Sequence, residues 1–339
     1  MSFEQAITVT PVGPSPLGQR YTAHLQDEWS IGRVPHGGYT AAILYRLATT
    51  HFAHMHSTQF PEMPVPISMQ ISYLRRTRAG EALLTVQDAK IGRRTSTIHV
   101  TLSQRKGSDN SDSSSSSSSS DYETKVAGYI TVSPPGAEQG VSALTRWSPS
   151  PPVVKGTGPS GEVNLAALAA TGSDGVWKRS TPPFSAFRRA TQHADLYAPG
   201  KESKESKEST GSNSSSHVID QWARFCPYGI LTPWTDEGVA FLTDIFPTAL
   251  DGLQSIALNS SADGTGGSFW YPSVTLNVEF KKHLLPGKTQ WLYSRVQSKV
   301  VCNGRTDIDV TILDEEGDVV ALSTQVGLIV SASRNIGKL

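Results

Sequence analysis

Cysteine is nearly absent: Cys226 and Cys302 are the only two in 339 residues, so there is no disulfide framework, and their spacing suits no zinc site. Net charge is absent too. Thirty Lys and Arg balance thirty Asp and Glu, and a sequence pI near 7.1 argues against nucleic acid as the main partner. No apolar run approaches the roughly 20 residues of a membrane span, and the N-terminus has no secretory pattern. There is no Gly-x-Ser-x-Gly elbow, which disfavours a serine hydrolase, and no glycine-rich nucleotide loop. These absences predict a soluble, cytoplasmic protein with no membrane span and no nucleic-acid partner. A C-terminal Gly-Lys-Leu, loosely similar to a Ser-Lys-Leu address, leaves the peroxisome open.

What is present occurs twice. In the first half, Val34-Pro35-His36-Gly37-Gly38-Tyr39 opens a stretch free of glycine and proline from Tyr39 to Gln59. It is apolar on almost every side, which predicts a buried helix over 39–56. Strand-like runs follow at 66–77, 81–91, 95–104 and 122–132. In the second half, a strand at 218–225 precedes a helix that starts at Thr235-Asp236-Glu237 and runs to about residue 249, bent or ended early by Pro247. Four strand-like runs follow again, at 273–283, 290–301, 306–313 and 319–331. Ile98-His99-Val100-Thr101-Leu102 is answered by Ile308-Asp309-Val310-Thr311-Ile312, and Arg75-Arg76 by Lys281-Lys282. An antiparallel sheet around one helix, duplicated, is an α+β arrangement. The expected division is 1–135, a Pro/Gly/Ser-rich connector at 136–183 with a short helix near 165–170, and 184–335. Eight consecutive serines within about 106–121 and three Lys-Glu-Ser repeats within about 200–216 bury no apolar surface and read as disordered or solvated insertions.

The start of the first helix is a candidate site. Unpaired N–H groups and the positive dipole end, approached closely past glycine, suit a phosphate or a polarised carbonyl oxygen at His36-Gly37-Gly38. A tight loop ahead of a core helix explains the same residues without a ligand. Three stretches then carry a resemblance: Trp29-x-x-Gly32-x-x-x-His36-Gly37-Gly38-Tyr39, Phe241-Leu242-Thr243-Asp244-Ile245-Phe246-Pro247, and residues 313–325 from Leu313-Asp314-Glu315-Glu316-Gly317 to Gln325. Through them the chain resembles the double hotdog acyl-CoA thioesterases, thioesterase II relatives of fungal type. The resemblance implies a double hotdog fold and hydrolysis of an acyl-CoA or other acyl thioester by activated water, with no cofactor.

In single hotdog thioesterases, a His-Gly-Gly loop polarises the carbonyl and a carboxylate two turns along the partner's helix activates water. Here the first half keeps His36, Gly37 and Gly38 but has Tyr45 at the acid's place, and the second keeps Asp244 without the glycines. That implies one composite site per chain, with Gly37 and Gly38 stabilising the oxyanion and Asp244 as base or nucleophile. An isolated helix aspartate facing solvent is the plainer reading. Thioesterase II relatives also use an Asp, a Thr and a Gln to hold the water, and strand-by-strand matching implies Asn277, Ser298 and Gln325. Alternation turns Asn277 away from Leu276, Val278 and Phe280, and Gln325 away from the even-numbered apolar residues of 320–330. Ser298 shares the parity of Val296 and Val300 and needs a bulge. An amide is no base near neutral pH, so Asn277 leaves that role to Asp244, or failing it Glu279 or His36. Polar residues on a solvated sheet face account equally for Asn277 and Gln325.

Arg75, Arg76, Arg78, Arg93, Arg94, Lys281 and Lys282 suit either coenzyme A phosphates or plain solvent. His51, His54 and His56 cluster at the end of the first helix with no acid beside them in sequence, so no metal site is expected. A hotdog lyase or dehydratase acting on an acyl or polyketide thioester and a non-catalytic acyl-CoA-binding protein stay open as alternatives, as does a homo-oligomer.

Overall fold

The computed structural model describes residues 1–60, 62–106, 121–143, 145–181, 184–200, 218–246 and 269–335. The serine run, the Lys-Glu-Ser repeats, Pro247 with the expected helix end, and the C-terminal Gly-Lys-Leu lie outside them. Among the described residues no helix is long and apolar enough to cross a membrane.

The first helix spans Gly37–Met55 and is buried on every side, with Ile43, Leu44, Leu47, Ala48 and Phe52 fully covered. All-round apolarity is what a helix needs when a sheet curls about it. That sheet is antiparallel throughout, with fourteen strands among the described residues. Its order is a palindrome of the sequence. Outward from the centre the first half places Val65–Tyr73, Tyr122–Ser133, Ser96–Arg105, Gly80–Lys90 and Gly18–Leu25. The second half places Ser273–Phe280, Val319–Leu328, Arg305–Leu313, Trp291–Gln297 and Val218–Phe225 in the same succession. The halves join where Val65–Tyr73 pairs with Ser273–Phe280, Ile71 opposite Leu276 and Gln70 opposite Asn277. Two hotdog units thus share one sheet and one core.

The central strands end in the same way, which explains why both are shorter than their apolar runs. Leu74 and Arg75 both donate to the Lys125 carbonyl, and Lys281 and Lys282 both donate to that of Val320. Two donors on one acceptor turn the chain out of the ladder, with Leu74 and Arg75 in the place of Lys281 and Lys282, so the expected basic pairs match one residue out of step. The segment after residue 135 does more than connect. Its helix Leu165–Thr171 is capped by Asn164 and ended by left-handed Gly172. Leu168 and Trp177 pack on Tyr197, Trp291, Tyr293 and Leu313, and Trp177–Ser180 extends the second sheet through Ala194–Pro199. Trp291–Gln297 is consequently covered on both faces.

An aromatic cluster ties the N-terminus to the second half. Trp29 stacks on Tyr39 and, at 3.8 Å between centroids, lies flat on His193. His193 Nδ1 accepts from the Tyr228 N–H (3.0 Å), so Nε2 carries the proton and faces the Glu28 carbonyl at 3.2 Å. Only the neutral ring satisfies both contacts, and burial pushes its pKa down to about 4. The unfolded chain, with histidine near 6.5, takes up the proton first. Stability is therefore complete above pH 6.5 and lost as pH falls toward 4. This group is expected to remove about 2 kcal/mol between pH 7 and pH 5. Denaturant unfolding at both pH values tests it, with a smaller loss expected in His193→Gln.

Candidate active site

The second helix, Asp236–Leu242, begins at a Thr235 cap whose hydroxyl accepts from the Gly238 N–H. Asp244 lies in the turn just beyond it. Two buried glutamines hold that turn: Gln325 Nε2 donates to the Thr243 carbonyl (2.7 Å) and Gln221 Nε2 to that of Ile245 (2.9 Å). Asp244 is buried against the start of the first helix. Its Oδ2 accepts from the Gly38 N–H at 2.8 Å, with His36 Nε2 at 3.5 Å. Its Oδ1 stands 3.0 Å from the Ser273 hydroxyl, which is also 3.3 Å from Gln325 Oε1. The single hydroxyl proton serves one of those two acceptors at a time.

Two bulges produce this convergence. In Ser273–Phe280 the register slips between Ser273 and Thr275, turning Ser273 inward while Leu276, Val278 and Phe280 keep the core face. In Val319–Leu328 a slip beside Val319 buries Val320 and Ala321 together. Leu322 and Val326 therefore face outward, while Ser323 and Gln325 face the core. The expected parity of Gln325 stands, but its apolar neighbours are the solvent-facing set and the glutamine points in.

The structure does not bring Asn277 or Ser298 to this group. Asn277 sits opposite Thr324 on the outer face and bonds that hydroxyl, because alternation from buried Leu276 points it away from the helices. Ser298 lies past the end of its strand, bonded to Thr306. The side chains grouped with Gln325 are instead those of Ser273 and, through it, Asp244. Strand-by-strand matching missed Ser273 because its inward turn depends on an inter-strand slip. The available signal was position: a serine follows Asp244 on the next strand, before the apolar alternation begins.

A cleft of about 320 Å³ opens over these residues. His36, Gly37, Tyr73, Asp244 and Ser273 line it, with Phe187, Phe246, Phe269 and Trp270 as apolar wall and exposed Arg75, Arg76 and Arg334 as basic rim. The Tyr73 hydroxyl donates to the Gly37 carbonyl at 2.7 Å. Burial, with the charge of Asp244 adding to it, raises the Tyr73 pKa well above the ordinary value, so the hydroxyl keeps its proton. Burial lowers the pKa of His36, leaving it neutral near pH 7. The paired oxyanion role expected of the glycines divides: Gly38 N–H holds the carboxylate, while Gly37 N–H has no acceptor among the described residues. Arg76 lies over the Trp270 ring at 5.0 Å. The other basic candidates fall outside the cleft: Arg78 bonds the Arg105 carbonyl, Lys281 pairs with Glu279, and Lys282 sits between Asp314 and Asp318.

The pseudo-symmetric place is filled by the protein. Tyr45, at the counterpart of Asp244, donates to Asp236 Oδ2 (3.0 Å), which also takes His283 Nδ1 (2.8 Å). Asp236 Oδ1 accepts from the Leu284 N–H. Asp236 thus lies at the second helix start with three partners of its own, where the first helix has Gly37 and Gly38.

Comparison with known proteins agrees with this architecture. Residues 25–130 match the acyl-CoA thioesterase N-terminal domain and residues 165–329 the acyl-CoA thioesterase C-terminal domain. The thioesterase-like protein TwmA of Talaromyces wortmannii is 28% identical over 346 residues, spanning 94% of this chain and 90% of that protein. Among solved structures, a putative thioesterase II from Thermobifida fusca superposes with a TM-score of 0.64 at 18% identity, covering 97% of each chain. A hotdog-fold protein of unknown function from Alicyclobacillus acidocaldarius gives 0.61 at 15%, covering 98% of each. With both thioesterase domains matched in tandem and one sheet built from two hotdog units, the chain belongs to the double hotdog acyl-CoA thioesterase family.

Proposed function

We propose that the chain hydrolyses an acyl-CoA thioester by attack of water, and that Asp244 is the base. The convergence of Asp244, Ser273 and Gly37 on one cleft, with Gln325 behind Ser273, carries this reading. The thioester carbonyl oxygen takes the Gly37 N–H, which stabilises the charge that develops on attack. Water held by Asp244 and the Ser273–Gln325 pair loses its proton to the carboxylate as it adds to the carbonyl carbon. The tetrahedral oxyanion collapses, the C–S bond breaks, and the thiolate recovers the proton from Asp244. Free acid and coenzyme A leave. Gly38 and Ser273 aim the carboxylate, and Tyr73 steadies Gly37, so the groups are placed before substrate arrives. The aromatic wall suits an acyl chain, and the rim arginines suit phosphates.

The test is thiol release from acyl-CoAs of graded chain length. Ser273→Ala and Gln325→Ala are each expected to lower kcat by about 10- to 100-fold, a fraction of a full base's contribution. Asn277→Ala on the outer face is expected to stay within about twofold of wild type. Binding without thiol release by any acyl-CoA defeats the hydrolase reading in favour of a binding protein. Water loss from a 3-hydroxyacyl thioester with the thioester intact defeats it in favour of a lyase.

A further inference from the structure

The first helix has a second polar end, about 21 Å along its axis from Gly37 to His51. His51 and His56 there have no acid near them in sequence, but the strand Gly80–Lys90 brings one. Ala82, Leu84 and Val86 of that strand face the core, and alternation puts Asp88 on the same face, just before the register slips, where it meets both rings. His51 Nε2 is 2.9 Å from Asp88 Oδ1 and His56 Nε2 is 3.0 Å from Oδ2. One ligand atom from each of the three residues lies within 4.8 Å of the other two.

We propose that His51, His56 and Asp88 bind a divalent transition metal, with zinc the best match to two imidazole nitrogens and one carboxylate oxygen. The edges of a tetrahedral shell with zinc-ligand bonds of 2.0–2.1 Å measure roughly 3.3 Å, so small side-chain rotations complete the three protein positions. Charge points the same way. Both rings are more than nine-tenths buried, and among the described residues Asp88 pairs with no lysine or arginine. A divalent ion would compensate the Asp88 carboxylate, whose partners are the two rings. Behind His51, the Tyr21 hydroxyl lies 2.8 Å from Nδ1, where it accepts that N–H when Nε2 is a ligand. The Asp88 side chain is 36% exposed, which opens the fourth position to water. The ion would clip the end of the catalytic helix to the sheet, apart from the reaction. By contrast, the cluster of Asp314, Glu316 and Asp318 already holds the Lys282 ammonium.

The experiment is titration of the chelator-treated full chain with Co²⁺, followed by competition with Zn²⁺. One Co²⁺ per chain with the intense visible absorption of four-coordinate cobalt is expected, displaced by zinc. Asp88→Asn and His56→Gln, which nearly conserve volume, should each weaken binding by at least roughly tenfold. Saturating zinc should raise the thermal midpoint of the wild type and not of either variant. Absence of the cobalt band overturns the proposal and leaves a hydrogen-bonded clamp. Binding that persists undiminished in both variants overturns it too, placing the ion elsewhere. Neither outcome bears on the thioesterase reading, since no catalytic residue is altered.

Discussion

Asp244→Asn is expected to lower kcat for acyl-CoA hydrolysis by about a thousandfold, within the range a positioned general base contributes. The folded structure should survive. The amide oxygen can still accept from Gly38 N–H, and the amide nitrogen can donate to Ser273, whose hydroxyl then turns wholly to Gln325 Oε1. Exchanging a charged acceptor for a neutral one at two bonds costs about 1 kcal/mol or less after this rearrangement. Geometry is thereby kept while proton acceptance is removed. Single-turnover thiol release gives the rate, and near-UV circular dichroism checks the fold. Full activity in this variant would move the base elsewhere, His36 being the nearest neutral group.

Gly38→Ala is expected to have the largest effect on stability. A Cβ there would stand 2.5 Å from the Phe241 carbonyl oxygen and 2.9 Å from Asp244 Cβ. Neither atom can swing aside. Phe241 is fully buried, stacked edge-on to Trp29 at 4.9 Å. The two helices must separate, and overpacking of this kind costs about 3 kcal/mol, the upper end for an added methyl group. The same movement lengthens the Gly38–Asp244 bond, so kcat should fall by about 100-fold in whatever fraction folds. Gly37→Ala is the instructive comparison. Its Cβ would meet Asp244 Oδ2 at 2.7 Å and the Tyr73 ring at 3.2 Å, both side-chain atoms that can give way. Activity should fall in both variants, but unfolding in denaturant should show a large deficit only at Gly38. Equal stability of the two would mean that the helix crossing is looser than this packing implies.

The resemblance carried by Trp29 through Tyr39 and by Phe241 through Pro247 is enough for the family, and the divided halves imply one composite site. The outer three-residue set was harder. Its carboxylate maps to two positions, Asp244 by the helix motif and Asn277 by the strand match. In three dimensions the helix aspartate meets Ser273, which also contacts Gln325, and Asn277 is left on the outer face. Tyr73 carried no local signal at all: it matters because its hydroxyl crosses from a strand to the Gly37 carbonyl.

Composition, periodicity and repetition were enough for the duplicated α+β architecture, the buried first helix and the strands around it. These are properties of short stretches, set by side-chain polarity at helical or alternating spacing, and each is written within a dozen residues. What only the folded molecule decided lies between strands and between halves. The slips beside Ser273 and Val319 choose which face each polar residue takes, and a slip depends on the partner strand's register. The same holds for the assignment of Gly38 to Asp244, for the covering of Trp291–Gln297 by the connector, and for the acid that joins His51 and His56. Each is a contact between residues distant in sequence, and local periodicity carries no record of which distant residue will be met.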